Sequence, residues 1–333
     1  MACLGLDIGG ANLKYVIVRE DVEGSDKRAG SEGKFKEKGI MYFPLWKREN
    51  LEKLTEKLKV FDVNSVCVVM TAELCDTFKT KEEGVKFIER AVKTAFPETP
   101  VFFVSVDGEI KSEAEPAEDF AASNWVASVK FVEEQLNEKE FLFADMGTTT
   151  TDLIPFKSKP LSANNDFERL KRRELVYAGI LRTPVFHVLK WFEAPLVPEF
   201  YSIVGDALVV TGDLSEEDYI CETPDGRGVS KEECMQRLAR QLCSDLKELG
   251  EEFVRDMAFR VRENLLKLIS GAIKWQATKW HLKKVVGCGK GEFLLKEAAE
   301  KLGLKFRGMS EEIGEMSEVL PAYACAYFAE KLC

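Results

Sequence analysis

Histidine is almost missing from this 333-residue chain: only His187 and His281 occur. Neither stands in a pattern with other metal-binding residues, and both read as structural. None of the nine cysteines forms a Cys-x-x-Cys pair, so the ligand spacing of a structural zinc site is missing too. The cysteine count is odd and the spacing irregular, which argues against a disulfide framework. Most of the thiols sit in apolar runs, Cys67 within Val66–Met70 and Cys325 within Tyr323–Phe328, and read as small buried hydrophobes in a reducing cytosol. Long hydrophobic runs are lacking as well. No stretch of eighteen apolar residues exists to form a transmembrane helix, and no basic segment precedes the first apolar run, so no signal peptide is expected and the chain reads as cytoplasmic. Positive charge is in deficit, with 47 Lys and Arg against 57 Asp and Glu for a formal net charge of −10. That balance opposes broad binding to nucleic acid or anionic membranes and leaves small molecules as the expected partners.

What is present suits a soluble globular protein with two sizeable cores: 45% of residues are hydrophobic and 31% charged. Residues 2–8 and 13–18 read as strands around a short loop, 21–39 as an exposed polar connection, and 41–43 as a third strand. Helical spacing places helices at 48–59, 81–96 and 122–137, with buried strands at 65–70 and 101–104. Near residue 140 the pattern restarts. Residues 141–144 and 152–156 form a second strand pair, 157–230 is an irregular proline-containing insertion, 231–249 and 251–280 are helical, and 285–286 is a short strand before a helix at 292–302. The repeat is the trace of a duplicated α/β unit. It predicts a first lobe over 1–139 and a second over 140–318, with a final helix at 319–333 that packs back on the first.

Two loops carry the chemistry. Asp7-Ile8-Gly9-Gly10-Ala11-Asn12 and Asp145-Met146-Gly147-Thr148-Thr149-Thr150-Thr151-Asp152 each place an aspartate at the end of an apolar run, before a tight turn. Exposed turn amides bind phosphate oxygens, and a neighbouring carboxylate can hold Mg²⁺ through water. Gly9, Gly10, Asn12 and Lys14 in the first loop, and Gly147, Thr148, Thr149 and Thr150 in the second, are therefore candidate phosphate ligands. Asp7 and Asp145 are candidate Mg²⁺ residues, and Asp145, Asp152 and Asp7 are candidate catalytic residues. The strand ending in Gly287-Cys288-Gly289-Lys290-Gly291 offers a third glycine-rich turn opening a helix. Thr71 and Glu73 follow one buried strand and Asp107 another, where open α/β sheets face their ligands.

In this order the three elements resemble the actin, sugar-kinase and Hsp70 superfamily. That resemblance implies an α/β fold of two ribonuclease-H-like domains with a cleft between them that grips a phosphate-bearing ligand, and residues 285–291 would be its adenosine-side turn. A narrower set is similar to the tetrahydromethanopterin-linked C1-transfer proteins of archaea and methylotrophs: Met70-Thr71-Ala72-Glu73-Leu74, Ser123-Asn124-Trp125, Asp145–Pro155, Glu174-Leu175-Val176-Tyr177-x-Gly179, Arg182-Thr183-Pro184-Val185 and Thr223-Pro224-Asp225-Gly226-Arg227-Gly228. The Glu174–Val185 part also resembles the N-terminal region of hydantoinase A and oxoprolinase. The C1-transfer resemblance implies a step of methanofuran biosynthesis, in which the phenol of γ-glutamyltyramine displaces diphosphate from an (aminomethyl)furanylmethyl diphosphate. ATP would not be consumed, though the loops could still admit a nucleotide. Under this reading Asp145, Asp152 or Asp107 would accept the phenolic proton. Arg182 or Arg227 would pair with the glutamyl carboxylates, or else form ordinary ion pairs. Thr71, Glu73, Gly287 and Gly289 would line the substrate site, and Tyr177 or Trp125 would stack on a ring or pack in a core. A nucleotide-dependent kinase, a hydantoinase-type hydrolase and a non-enzymatic nucleotide-gated binding protein are the competing readings.

Overall fold

The computed structural model describes residues 1–20, 34–47 and 51–332. The chain begins with β1 (Ala2–Gly9), β2 (Asn12–Glu20), β3 (Lys34–Tyr42), α1 (Leu51–Leu58), β4 (Ser65–Thr71), α2 (Lys81–Ala95), β5 (Val101–Val104), β6 (Ile110–Lys111) and α3 (Asn124–Leu136). It continues with β7 (Glu140–Met146), β8 (Thr151–Lys157), α4 (Asp166–Arg172), β9 (Leu175–Val176), α5 (Val185–Val188), the ribbon β10 (Trp191–Phe192) and β11 (Ala194–Pro195), α6 (Val204–Thr211), α7 (Lys231–Arg240) and α8 (Leu246–Leu249). The last elements are α9 (Glu251–Trp280), β12 (Lys284–Cys288), α10 (Glu292–Lys301), β13 (Lys305–Gly308), α11 (Met309–Ile313) and α12 (Leu320–Leu332). These elements fall into two compact units: Met1–Lys139 with Ala163–Glu168 and Ile313–Cys333, and Glu140–Ser162 with Arg169–Glu312.

The first unit is built on a sheet of order β3-β2-β1-β4-β5-β6. β1, β4 and β5 are parallel, while β2 and β3 fold back as an antiparallel meander. The valine-rich run of β4 is buried on both faces, as a central parallel strand must be. On one face Leu4, Leu6, Ile8, Val66, Val68 and Met70 meet Leu54 and Leu58 of α1 and Val85, Ile88 and Val92 of α2. The other face carries α12, which approaches so closely that a Cβ at Gly5 would lie 1.9 Å from the Ala322 carbonyl oxygen. α3 lies beside it, with the Phe131 ring edge-on to Tyr323 at 5.2 Å. The polar connection expected over 21–39 needs correction at its end. Residues 21–33 lie outside the described residues, but β3 already runs from Lys34. Its exposed Lys36 and Glu37 hid it, since charged side chains are the ordinary dress of an edge strand.

The second unit repeats the plan. Its sheet order is β13-β12-β7-β8-β9, with β7, β12 and β13 parallel and β8 and β9 antiparallel. Counted along the chain, the second sheet and the first five strands of the first sheet have the order 3-2-1-4-5, the ribonuclease-H-like arrangement, and β6 adds a sixth strand to the first. The 30-residue α9 supplies the largest apolar stripe, with Val254, Met257, Val261, Leu265, Ile269 and Ile273 buried. The helix expected over 231–249 is interrupted: Cys243 takes a left-handed φ of 55°, and Asp245 starts α8 by accepting the Glu248 N–H. β13, four residues at the sheet edge, had no sequence signal strong enough to place it. Among the described residues no helix is long and apolar enough to cross a membrane.

Candidate active site

The two aspartate loops have the same construction. In the first, β1 and β2 are closed by the pair Ile8↔Leu13, the loop is Gly9–Asn12, and the rung behind is Asp7↔Lys14. In the second, Met146↔Thr151 closes β7 and β8, the loop is Gly147–Thr150, and the rung behind is Asp145↔Asp152. Residues directly opposite on antiparallel strands share a face, so each acid stands on the same side as its cross-strand partner. Asp7 is 3.3 Å from the Lys14 ammonium. Asp152 forms a buried ion pair with Arg169. Two carboxylates facing each other would repel, and Arg169 supplies the counter-charge that permits the Asp145↔Asp152 rung.

The threonine loop is held from behind by its carbonyls. Gly147 O accepts the Ile180 N–H, and Thr148 O accepts those of Leu181 and Arg182. The Gly147 N–H closes the turn on Thr150 O at 3.0 Å. Among the described residues no acceptor serves the N–H groups of Thr148, Thr149 and Thr150. Gly179 makes this docking feasible: a Cβ there would stand 2.5 Å from both Gly147 O and Thr149 N. Gly291 donates its N–H to Met146 O, and Gly289 lies so near that a Cβ would fall 2.5 Å from an Asp145 carboxylate oxygen. Gly289 also has φ +87°, a conformation glycine tolerates best. Cys288 sits in register with Asp145, and its thiol is pushed well up by burial and by that carboxylate.

In the first unit Gly10 O accepts the Leu45 N–H and Ala11 O the Phe43 N–H, so this loop too is tied down through its carbonyls. Asp7 is 3% exposed, and among the described residues its Oδ1 has no hydrogen-bond partner; the same holds for Oδ1 of buried Asn12. The turn after β4 lies against the loop. Gly9 is paired with Thr71, whose Oγ1 would be 3.4 Å from a Cβ at Gly9, and Cys75 Sγ would be 2.7 Å from one at Gly10. Between these contacts sits Glu73, buried, with its carboxyl raised to about 7 chiefly by desolvation.

Other candidates are accounted for locally. Asp107 is exposed in the β5–β6 turn, where it accepts the Ser105 hydroxyl and the Glu109 N–H; the Ser105 hydrogen bond holds its carboxyl below the usual range. The absent side chain of Gly287 is replaced by the Phe306 ring, 2.5 Å from where a Cβ would be, so this glycine serves sheet packing. Arg182 is half-buried beside the threonine loop, and its charge opposes the rise of the Cys221 thiol, which burial pushes up to about 11. Arg227 is exposed in a turn that its own backbone closes, with its carbonyl accepting the Thr223 hydroxyl and its N–H reaching Asp225. Trp125 packs in a core, but Tyr177 is 64% exposed, which overturns a core role for it. His187 and His281 are both exposed, His281 as the left-handed cap of α9. Sequence reasoning missed Arg169, whose pairing with Asp152 spans 17 residues without a motif. Ser123, quoted only as part of a motif, carries a buried hydroxyl without a hydrogen-bond partner among the described residues.

Comparison with known proteins adds the following. Residues 64–331 match the hydantoinase/oxoprolinase family. A protein of Methanocaldococcus jannaschii named (4-{4-[2-(gamma-L-glutamylamino)ethyl]phenoxymethyl}furan-2-yl)methanamine synthase is 36% identical, the match covering 98% of this chain and 97% of the relative. A Methanococcus vannielii protein of the same name is 35% identical over 52% of this chain and 80% of its own length. Among solved structures, a ROK family glucokinase from Streptomyces griseus aligns with a TM-score of 0.47 at 12% identity, covering 99% of this chain and 100% of that one.

Proposed function

The chain belongs to the hydantoinase/oxoprolinase family, and from that membership we propose that it is a transferase that makes an aryl ether in methanofuran biosynthesis. One observation carries the reading: a relative 36% identical over 98% of this chain is named for a product whose phenoxymethyl link joins a γ-glutamyltyramine phenol to an aminomethylfuran. Building that link requires the phenolic oxygen to attack a furanylmethyl carbon that carries a leaving group. Diphosphate is a leaving group that the threonine loop suits. Amides of Thr148–Thr150 lack acceptors, and their loop is anchored through its carbonyls, so they can receive phosphoryl oxygens without reorganising. Lys14 and the Gly9-Gly10 turn offer the same service in the first unit.

The residues also fit Mg²⁺. Among the described residues Asp7 Oδ1 is a buried oxygen without a hydrogen-bond partner, and within the second unit Asp145 is a half-buried carboxylate at the base of its own loop, each in its own unit. Mg²⁺ is commonly held by one or two carboxylates with water and substrate phosphate. When bound it would neutralise charge growing on the departing diphosphate. Asp152 is taken by Arg169, so in this proposal it positions rather than reacts. Arg182, next to the threonine loop, is the better placed of the two arginines for the glutamyl carboxylates.

The test is direct. Protein, Mg²⁺, γ-glutamyltyramine and the furanylmethyl diphosphate, without ATP, should give ether and inorganic diphosphate in equal amounts. No ether, or ether only when ATP is added, overturns the reading. Asp145→Asn should cut turnover by at least about a hundredfold with an unchanged melting curve; near-native turnover removes Asp145 from the machinery.

A further inference from the structure

Glu73 lies in the middle of the β4 turn that touches the first loop at both ends, through Thr71 at Gly9 and Cys75 at Gly10. Its backbone is fixed from the other side, because a Cβ at Gly84 in α2 would come within 2.2 Å of the Glu73 carbonyl oxygen. The side chain is 2% exposed; the carboxyl faces its own backbone N–H and that of Ala122, both of which lower its pKa, while among the described residues Oε2 has no hydrogen-bond partner. Ala122 holds a left-handed φ of 53°, costly for a residue with a Cβ, directly before α3. Its neighbour Ser123 carries a fully buried hydroxyl, also unpartnered. A buried carboxylate without a salt-bridge partner costs stability, and a strained backbone spent on orienting it adds to that cost. Lys81 and Asp166 are the charged groups that act on it, with opposite effects. Such an arrangement makes sense if the free oxygen receives a proton during the reaction.

We propose that Glu73 is the base of the ether-forming step, an assignment that rests on the transferase reading above. The phenolic oxygen forms its bond to the furanylmethyl carbon, the bond from that carbon to the diphosphate oxygen breaks, and diphosphate leaves with the electron pair. The phenolic proton passes to Glu73 and from there to solvent. Desolvation already lifts the carboxyl to about 7, where a base is both ionised and proton-avid near neutral pH.

Glu73→Gln keeps an oxygen for the Ala122 N–H and removes only the base. With the same two substrates, turnover should fall by about a hundredfold or more, and the loss should shrink for ring-fluorinated phenols that ionise unaided. Glu73→Asp should keep some turnover and a pH profile of the native kind, which is expected to rise through about 7. Stability separates this from a structural role. Because the folded carboxyl is raised from 4.5 to about 7, the folded state keeps a proton that the unfolded chain has lost between those values, so native stability falls as pH rises through that window. Glu73→Gln lacks this penalty, and its melting temperature should overtake the native value as pH goes from 5 to 8. If the native protein makes ether while Glu73→Gln stays within threefold of it, or loses turnover equally for every phenol while melting earlier, the base assignment is overturned. If the native protein makes no ether, the transferase reading fails and the assignment falls with it, whereas the pH-dependent melting difference would persist.

Discussion

Gly179→Ala is expected to lower turnover by at least about a hundredfold while both units stay folded. A Cβ at this position would sit 2.5 Å from Gly147 O, 2.5 Å from Thr149 N and 2.6 Å from Thr148 C, all backbone atoms. No rotamer change relieves such a contact, so the threonine loop or the 178–183 segment must move by about an ångström to reach ordinary contact distance. That segment is pinned at several points. The Thr183 hydroxyl bonds both the N–H and the carbonyl of Gly179, and Thr151 Oγ1 donates to Ala178 O at 2.8 Å. The proposed role of the loop amides, to receive the leaving group, is what a shift of the loop would disturb. Misplacement on this scale costs about two orders of magnitude in positioned reactions. Diphosphate release by Gly179→Ala, with a melting curve in parallel, checks it. Gly271→Ala is the control: a Cβ there meets nothing within 4 Å in the middle of α9, so turnover should be unchanged and stability should rise by up to about 1 kcal/mol. Turnover of Gly179→Ala within threefold of native would mean that the loop's position does not matter.

The contrast between these glycines shows what could be read before the coordinates. Spacing located Gly9, Gly10 and Gly147 because a turn between two apolar runs is a local signal, and the hairpins follow from local residues. Periodicity placed α2 and β5 closely for the same reason. Long-range partners have no such trace. Nothing near Gly287 announces the Phe306 ring, and nothing near Asp152 announces Arg169, so one glycine was assigned to substrate and one acid to catalysis on motif alone. Asp107 carries two local signals: an acid after a buried strand is a ligand candidate, the same residue type is a favoured turn former, and here it caps its own hairpin. Glu73 was legible as a residue just past a buried strand and illegible as a buried acid, because desolvation is set by what folds around it.

Asp206→Asn should destabilise the second unit by about 3–5 kcal/mol, a fall in melting temperature on the order of 10 °C for a unit of this size. Asp206 and Arg237 are both fully buried, 2.8 Å apart. The Asp206 carboxylate also accepts the Tyr219 hydroxyl at 3.0 Å and the Ile203 N–H at 2.9 Å. Arg237 extends outward to Asp225 and to the Gly228 carbonyl, so the Thr223–Gly228 turn is fastened to α6 and α7 through one guanidinium. The amide of Asn would keep an oxygen for some of these donors but remove the buried carboxylate from Arg237, leaving only the partly exposed Asp225 to balance its charge. Arg237→Leu should cost a similar amount by stranding Asp206. The double variant Asp206→Leu/Arg237→Leu should cost clearly less than the sum of the two singles, since removing both charges ends the desolvation penalty together with the attraction. Thermal melts of the three variants at one pH decide the matter. Additive losses would mean that the two side chains act independently, and that the turn is held by Glu233, which accepts the Gly228 and Ser230 N–H groups, rather than by the buried pair.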